Sequence, residues 1–191
     1  IVLTTPIIRC LYQQKPGVEI HYLTKKAFAP ILTANPYIQQ LHLLDDNIQN
    51  TIADLKKIDF DFVVDLHKNF RSKKVIAALK KQSANFSKLN TQKWIYTNLK
   101  INTLPDKSIV ERYFEALKPL NIHNDGQGLD YFIPEGEKIK NDDIPMSHWA
   151  GYVGFVIGGS FATTKLPVDS GKEIVSMCPI PIILLGGPED P

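Results

Sequence analysis

An apolar run in the middle of the chain ends abruptly at a cluster of polar residues. Phe60, Phe62, Val63 and Val64 are typical of a strand that is buried on both faces of a parallel sheet. Polar residues follow where this strand should end and the next helix should begin, namely Asp65, His67, Lys68, Asn69, Arg71 and Ser72. Ligands of open α/β sheets bind beyond the carboxyl ends of strands, so this junction is a candidate functional site.

The same polar residues also have a purely structural interpretation. Asn69 or Asp65 could accept hydrogen bonds from helix amides, and Arg71 could simply be solvated. From the residues alone, both interpretations stay open. A phosphatase-like pair of Asp61 and Asp65 is disfavoured, because Asp61 lies inside the predicted strand and the two carboxylates then do not share one loop.

Units of helix, turn and strand repeat along the first half of the chain. The predicted elements are helices beginning at Thr4 or Thr5, Phe28, Ile48 and Arg71, and strands over 18–23, 38–44, 60–66 and 84–86. Such alternation with short connections predicts an α/β fold with a parallel, Rossmann-like sheet. A doubly wound domain begins with a strand, so we expect the first strand to be missing ahead of Ile1. Helical spacing predicts further helices within 88–120.

The α/β pattern starts again after 134–147, a segment rich in Pro, Gly and charged residues that we predict to be a linker. Strands are predicted over 152–157 and 179–185, each followed by a glycine turn. The segment 168–177 between them is weakly periodic for a crossover helix, so we suspect omitted residues there. We therefore predict one domain over 1–133 and the start of a second, incomplete Rossmann-like domain over 148–191.

Composition argues against several classes of protein. The chain has 191 residues, with 22 Lys and Arg against 20 Asp and Glu, a net charge of +2. This balance gives no basis for predicting nucleic-acid binding, which needs a basic stripe. Cys10 and Cys178 match no metal or disulfide spacing and fit a reducing compartment. No apolar run approaches the roughly 20 residues of a membrane span, and we identify no signal peptide.

The two glycine turns could bind a nucleotide. Backbone amides at Gly158-Gly159-Ser160 can approach a phosphate, with the hydroxyls of Thr163 and Thr164 and the charge of Lys165 close in sequence. Glu189, just past the second turn, could hold ribose hydroxyls, although capping a helix is an equal alternative. Neither turn matches the three-glycine dinucleotide fingerprint or a P-loop, which disfavours a Rossmann oxidoreductase.

Six short segments together resemble the heptosyltransferases of glycosyltransferase family nine, in order and spacing, over nearly the whole chain. They are Val2-Leu3-Thr4-Thr5-Pro6 with Pro16-Gly17-Val18-Glu19-Ile20; Asp65-Leu66-His67-Lys68-Asn69-Phe70-Arg71-Ser72; Ile109-Val110-Glu111-Arg112-Tyr113; Lys165-Leu166-Pro167; and Leu185-Gly186-Gly187-Pro188-Glu189. The resemblance implies a GT-B fold, in which an acceptor-binding N-terminal domain is followed by a nucleotide-sugar-binding domain.

The resemblance also implies an activity. Members of this family transfer a heptose from ADP-heptose to an inner-core sugar of lipopolysaccharide, with inversion and without a metal or cofactor. Alternatives are a GT-B transferase with another nucleotide-sugar donor, or a nucleotide-binding fragment without turnover. The family's general base is an Asp that we expect immediately before Ile1, so we expect this chain alone to be inactive. The implied location is cytoplasmic, with peripheral contact at the inner face of the cytoplasmic membrane left open.

The resemblance also implies which residues bind the donor and which bind the acceptor. The donor side would comprise Gly158, Gly159, Ser160, Thr163, Thr164, Lys165, Gly187 and Glu189. The acceptor side would comprise Thr5, His67, Lys68, Asn69, Arg71 and Arg112, with no metal ligands. Arg71 is the expected bidentate partner of an anionic group on the acceptor. On spacing alone, Arg112 would be a solvated helix residue, and only the resemblance assigns it a function. Leu166 stands where many members have Trp.

Overall fold

The computed structural model describes residues 1–159, 161 and 165–187. The chain divides into two compact units, Ile1–Pro134 and Glu135–Pro191, which we call the first and second unit. The domain and linker boundaries predicted from the sequence stay predictions. Within the described residues, no helix is both long and apolar enough to cross a membrane.

The first unit alternates helices and strands as the sequence predicts. Its elements are α1 (Thr5–Gln14), β1 (His21–Lys25), β2 (Gln40–Leu44), α2 (Ile48–Leu55), β3 (Phe62–Asp65), α3 (Phe70–Leu79), β4 (Gln82–Asn85), α4 (Asn90–Leu99) and α5 (Ile109–Glu115). β1 pairs with β2 in parallel, with His21 opposite Gln40, and β3 pairs with β4 in parallel, with Phe62 opposite Gln82. The predicted parallel α/β class is confirmed, although backbone hydrogen bonds join the described strands in separate pairs rather than in one continuous sheet.

Local side chains satisfy free amides at the starts of α2 and α5. Asn47 accepts a hydrogen bond from the amide of Gln49 (3.0 Å) at the start of α2. Ser108 and Glu111 form a reciprocal capping box at the start of α5. Pro6 lies in the first turn of α1, where its missing N–H costs nothing. Thr4 precedes that helix but does not cap it, because its hydroxyl donates to the carbonyl of Ile1 (2.7 Å).

The helix predicted to begin at Phe28 is wrong. The structure has a 3-10 helix at Lys26–Ile31, with Pro30 inside it. Proline lacks an amide hydrogen and its ring clashes with the preceding turn, so a regular α-helix does not propagate through this position. Leu32, directly after it, is buried against Ile8 and Ile20. The segment therefore still anchors the chain between β1 and β2.

Three clusters of buried apolar side chains form the core of the first unit. The largest joins Ile7 and Cys10 of α1 to Phe114, Leu117 and Ile122 in and after α5. A second packs Ile8, Ile20 and Leu32 together, and a third packs Ile52, Leu55 and Val75 of α2 and α3. The helices thus cover the short parallel strands, as an α/β architecture requires.

A buried ion-pair network reinforces the largest cluster. Arg9 of α1 is almost fully buried and donates to both carboxylate oxygens of Asp125, at 2.8 Å each, and to the carbonyl of Gly128. It also pairs with Asp130. Hydrogen bonding to Arg9 holds the pKa of Asp125 well below its usual range. The loop after α5 is therefore fixed to the first helix by charge as well as by apolar contact.

The second unit contains one described parallel β–α–β motif. β5 (Val153–Val156) pairs with β6 (Ile182–Leu185), with Val153 opposite Ile182, and α6 (Val168–Met177) connects them. Gly171 of α6 lies against Phe155 of β5, since a methyl group added there would come within 3.9 Å of the ring. The segment 168–177 forms the ten-residue crossover helix despite its weak periodicity, and the suspicion of omitted residues there stays a prediction.

Candidate functional site

Asp65 organises the loop between β3 and α3. It ends β3, and its carboxylate is buried. Oδ1 accepts hydrogen bonds from the amides of His67 (2.9 Å) and Lys68 (2.7 Å), and Oδ2 accepts one from the Ser72 hydroxyl (2.7 Å). The structural interpretation is therefore correct for Asp65, because its oxygens are used to shape the loop rather than left for a ligand.

Asn69 and Ser72 then start α3 with a capping box. The side-chain oxygen of Asn69 accepts from the amide of Ser72 (2.8 Å), and the Ser72 hydroxyl accepts from the amide of Asn69 (3.0 Å). Reciprocal bonds of this kind satisfy two of the amides that a helix start otherwise leaves free. The capping interpretation is thus correct for Asn69 too, while its assignment to the acceptor side stays a prediction.

The three basic side chains of the loop and helix start have different surroundings. His67 and Arg71 are exposed, whereas Lys68 is half-buried. Lys68 has a φ of 49°, in the left-handed region that lysine seldom adopts. Its ammonium group donates to the carbonyl of Phe86 (3.3 Å), directly after β4. The tight loop therefore directs Lys68 to the carboxyl end of the neighbouring strand.

Arg112 reaches the same place from α5. Its Nη1 donates to the carbonyl of Ser87 (3.3 Å), the residue next to the Phe86 carbonyl that Lys68 holds. The Nε of Arg112 is buried and has no hydrogen-bond partner among the described residues. Phe86 also packs edge-on against Tyr113, with ring centroids 4.8 Å apart, which holds α5 against this segment. The structure therefore brings two predicted site cations together beyond the paired strands β3 and β4.

Phe86 and Ser87 were missed from sequence, for a simple reason. They contribute backbone carbonyls, which every residue carries, so their side chains give no signal. Their position in the sequence could have indicated them. The segment 84–86 was predicted as a strand, and its carboxyl end should lie beside the carboxyl end of the strand predicted over 60–66. We call Lys68, Phe86, Ser87 and Arg112 the cation ledge.

Thr5 is placed differently from the other acceptor-side candidates. It is almost fully buried at the start of α1. Its hydroxyl donates to the carbonyl of Val2 (2.8 Å) and accepts from the amide of Asp130 (2.9 Å). These bonds tie α1 to the loop after α5, beside the Arg9 network. The structure thus gives Thr5 a role in the fold, and its predicted contact with an acceptor stays a prediction.

The predicted donor side is described only in part. Gly158 and Gly159 follow β5, and Gly187 follows β6, so both turns leave the carboxyl ends of neighbouring parallel strands. A hydrogen bond from the amide of Ile157 to the carbonyl of Leu185 (3.0 Å) continues the pairing up to the first turn. Lys165 is exposed. Ser160, Thr163, Thr164 and Glu189 lie outside the described residues. The donor-side assignment stays a prediction.

The part of the chain that the structure describes contains no candidate metal site. No group of three or more His, Cys, Asp or Glu side chains there could hold a metal ion. Cys10 is buried, Cys178 is half-buried, and neither forms a disulfide. Burial raises the pKa of the Cys10 thiol, so this group is poorly suited to nucleophilic chemistry.

Solved structures with the same fold cover nearly the whole chain. The Escherichia coli heptosyltransferase WaaC with ADP matches with a TM-score of 0.67 at 17% identity, over 98% of this chain and 63% of that one. The E. coli ADP-heptose lipopolysaccharide heptosyltransferase II matches at 0.66 and 16%, over 98% and 61%. A glycosyl transferase of family 9 from Veillonella parvula DSM 2008 matches at 0.63 and 16%, over 99% and 67%.

The chain has the GT-B fold of these transferases. The predicted GT-B class and the resemblance to heptosyltransferases are confirmed at the level of fold, which is what a likeness at these identities shows. The chain spans 61% to 67% of the length of the three proteins. No family model matches the chain, and no curated protein sequence matches it.

Proposed function

We propose that this protein is an inverting glycosyltransferase that moves a heptose from ADP-heptose to an inner-core sugar of lipopolysaccharide without a metal ion. The likeness to heptosyltransferases supports a transferase of this type. The cation ledge supports an anionic acceptor. The proposal assigns the ledge to the acceptor and the two glycine turns to the nucleotide.

The observation that carries the acceptor half is the buried Nε of Arg112, which has no hydrogen-bond partner among the residues that the structure describes. Buried polar groups in folded proteins nearly always have a hydrogen-bond partner, so an orphaned guanidinium donor is a place where a ligand oxygen fits. Guanidinium groups bind phosphate and carboxylate with two parallel hydrogen bonds. Inner-core acceptors offer such anionic groups, and the nearby Lys68 ammonium would add a second positive charge.

The loop after β3 explains how these cations stay in place. Asp65 fixes the amides of His67 and Lys68, and the Asn69–Ser72 box fixes the start of α3. The backbone positions of His67 and Lys68 therefore depend on hydrogen bonds from their amides to the buried Asp65 carboxylate. In this proposal, exposed Arg71 and His67 bind the outer part of the acceptor. Such preorganisation lowers the cost of positioning a sugar for attack.

The donor half rests on the glycine turns at the carboxyl ends of β5 and β6. Backbone amides in such turns bind phosphate oxygens, and Lys165 would neutralise charge that develops on the departing diphosphate. An inverting displacement also needs a carboxylate to accept the proton of the acceptor hydroxyl. The identity of that carboxylate stays a prediction.

Steady-state kinetics with Arg112→Gln test the acceptor half, in a protein that includes the Asp expected before Ile1. We expect the acceptor KM to rise about tenfold to a hundredfold, as for the loss of a charged hydrogen bond, with the donor KM unchanged. Arg112→Lys should restore part of the loss, because the charge returns without the fork geometry. Lys57→Gln is the control, because Lys57 is exposed, lies between α2 and β3, and is not part of the cation ledge. Equal acceptor KM values in all variants would remove the ledge from the acceptor site.

Calorimetry tests the donor half. We expect ADP to bind, to bind equally well with EDTA present, and to bind several-fold more weakly to Lys165→Ala. Tighter binding of another nucleoside diphosphate than of ADP would favour a GT-B transferase with a different donor. ADP binding without any turnover on lipopolysaccharide acceptors would favour a nucleotide-binding protein.

A further inference from the structure

Phe70 is more exposed than any other phenylalanine, tyrosine or tryptophan among the described residues. It is the first residue of α3, and its relative exposure is 72%. It belongs to none of the three core clusters of the first unit. An exposed phenylalanine is not unusual by itself, so its significance depends on how the ring is held and on which groups surround it.

The ring of Phe70 is held from one side. The ammonium group of Lys74, one helical turn later, lies 4.6 Å from the ring centroid, and a cation in this position is attracted to the negative face of the ring. The capping box of Asn69 and Ser72 fixes the backbone on both sides of Phe70. Since most of the side chain is exposed, the ring face away from Lys74 is open to a ligand.

Phe70 lies at the end of the strands where a ligand is expected. α3 follows β3 through the loop that Asp65 shapes. Side chains on an α-helix lean toward its N-terminus, so a ring on the first residue extends past the start of α3, on the side at which β3 ends. Exposed Arg71 is the next residue, and Lys68, which reaches the carbonyl of Phe86, is two residues earlier. An apolar ring and basic groups are therefore presented together.

Acidic sugars match this combination of groups. A pyranose ring carries hydroxyls around its edge, while the axial C–H bonds on one face form an apolar patch. Those C–H bonds carry partial positive charge and are attracted to the negative face of an aromatic ring. An acidic sugar can therefore stack its ring on Phe70 and place its carboxylate or phosphate among the neighbouring basic side chains.

We propose that Phe70 is the stacking surface for the pyranose ring of the acceptor, while Arg71 and the cation ledge bind the acceptor's anionic group. The inference rests on the proposed function, because it adds a residue to the acceptor site. It also defines what that site selects. Basic side chains alone bind any small anion, whereas an aromatic face beside them favours an anion that is attached to a sugar ring. Phe70 is thus a specificity-determining residue.

NMR titration of the 191-residue chain tests the proposal without a donor. The probes are the inner-core oligosaccharide of lipopolysaccharide, freed of its acyl chains, and inorganic phosphate. We expect the C–H protons of one bound sugar ring to shift upfield, as protons above an aromatic face do. Phe70→Leu keeps an apolar side chain without the aromatic face, so it should abolish this shift and weaken oligosaccharide binding about threefold to tenfold. Phosphate should bind both proteins equally, since it has no C–H face.

Two further variants separate stacking from other effects. Phe70→Trp keeps an aromatic face and should bind the oligosaccharide within about twofold of the unmodified chain. Tyr12→Leu removes an exposed ring near the end of α1. Because β1 begins shortly after α1, this ring lies toward the amino ends of the strands, and its loss should leave oligosaccharide binding unchanged. Circular dichroism establishes that each variant is folded.

Three results would overturn the stacking role of Phe70 itself. These are unchanged oligosaccharide binding in Phe70→Leu, an equal loss of phosphate binding in that variant, and a loss in Phe70→Trp or Tyr12→Leu as large as in Phe70→Leu. If Arg112→Gln still weakens oligosaccharide binding in the same experiment, the acceptor half of the proposed function stands without Phe70.

Failure of the proposed function gives different results. No binding of the oligosaccharide to the unmodified chain would overturn the acceptor half and the role of Phe70 with it. Binding that depends on Phe70, without transfer from ADP-heptose in a protein that includes the Asp expected before Ile1, would support the stacking role and overturn the proposed transferase activity.

Discussion

The two units of the chain use the same local motif, two parallel strands with a helix between them, yet they differ sharply in burial. In the first unit, Leu117 is completely buried, and three apolar clusters involve most of the helices. In the second unit, no described residue is buried, and Val156 and Leu184 of its strand pair are 68% and 56% exposed. The motif alone therefore creates strands and a crossover helix, but not a core.

The difference follows from how parallel sheets are stabilised. Parallel strands are apolar along their whole length and need a layer of helices on each face. In the first unit, α1, α2, α3 and α5 contribute buried residues. In the described part of the second unit, α6 is the one α-helix and contributes none. The comparison predicts that equivalent substitutions have much larger effects on stability in the first unit.

The largest effect is expected at the buried ion-pair network. Asp125→Ala leaves the guanidinium of Arg9 buried with one of its two carboxylate partners removed, and we expect it to lower the free energy of unfolding by about 3–5 kcal/mol. Urea denaturation followed by circular dichroism measures the change. Asp169→Ala in the second unit removes one end of an exposed pair with Lys172 and should cost less than about 1 kcal/mol. Similar losses in both variants would contradict the comparison.

The next effect concerns apolar packing. Leu117→Ala should lower the free energy of unfolding by about 2–5 kcal/mol, because it leaves a cavity between α1 and α5. Leu184→Ala, at a half-exposed position of β6, should cost less than about 1 kcal/mol, since little packing is lost. The same denaturation experiment applies. A large effect at Leu184 would show that β6 has a packed partner.

A smaller effect is expected at the helix starts. Asn69→Ala removes the side-chain cap of α3 and should cost about 1 kcal/mol, within a range of roughly 0.5–2. In the second unit, α6 begins after Pro167 without a side-chain cap. Asp169→Asn, in its first turn, should therefore change the stability by only a few tenths of a kcal/mol through the helix dipole. If Asn69→Ala is neutral, water replaces the cap and the loop is less fixed than we infer.

The smallest effect is a dependence on pH within the first unit. Burial lowers the pKa of His42, and the neighbouring His21, with ring nitrogens 2.9 Å apart, lowers it further, while Asp54 opposes this. The unfolded chain, with a histidine pKa of about 6.5, therefore takes up a proton first as the pH falls. Stability should be complete above that pH and decrease through the window between it and the lower pKa of folded His42. His42→Gln should flatten this slope, as measured by thermal unfolding at several pH values. An unchanged slope would show that His42 titrates alike in both states.

Features that depend on residues close together in the sequence were predicted better than features that depend on distant residues. The alternation of elements, the strand ending at Asp65 and the caps at 65–72 depend on neighbours within about ten residues, and they were largely foreseeable. The Arg9 network depends on residues 116 positions apart, and the cation ledge depends on backbone carbonyls. Neither feature produces a recognisable pattern in the local sequence. The helix predicted at Phe28 is wrong because it rests on the repeat of helix, turn and strand, which takes no account of Pro30.

The Arg9 network also bears on when the first unit can fold. Arg9 is in the first helix, whereas Asp125 and Asp130 lie close to the end of the unit at Pro134. Closing so long a loop is entropically unfavourable and slow compared with forming local helices. During synthesis, α1 therefore carries an unpaired cation on its core-facing side until about the last of these residues leaves the ribosome. Chain termination before Asp125 should yield a product that chaperones and proteases treat as unfolded, however well its helices form.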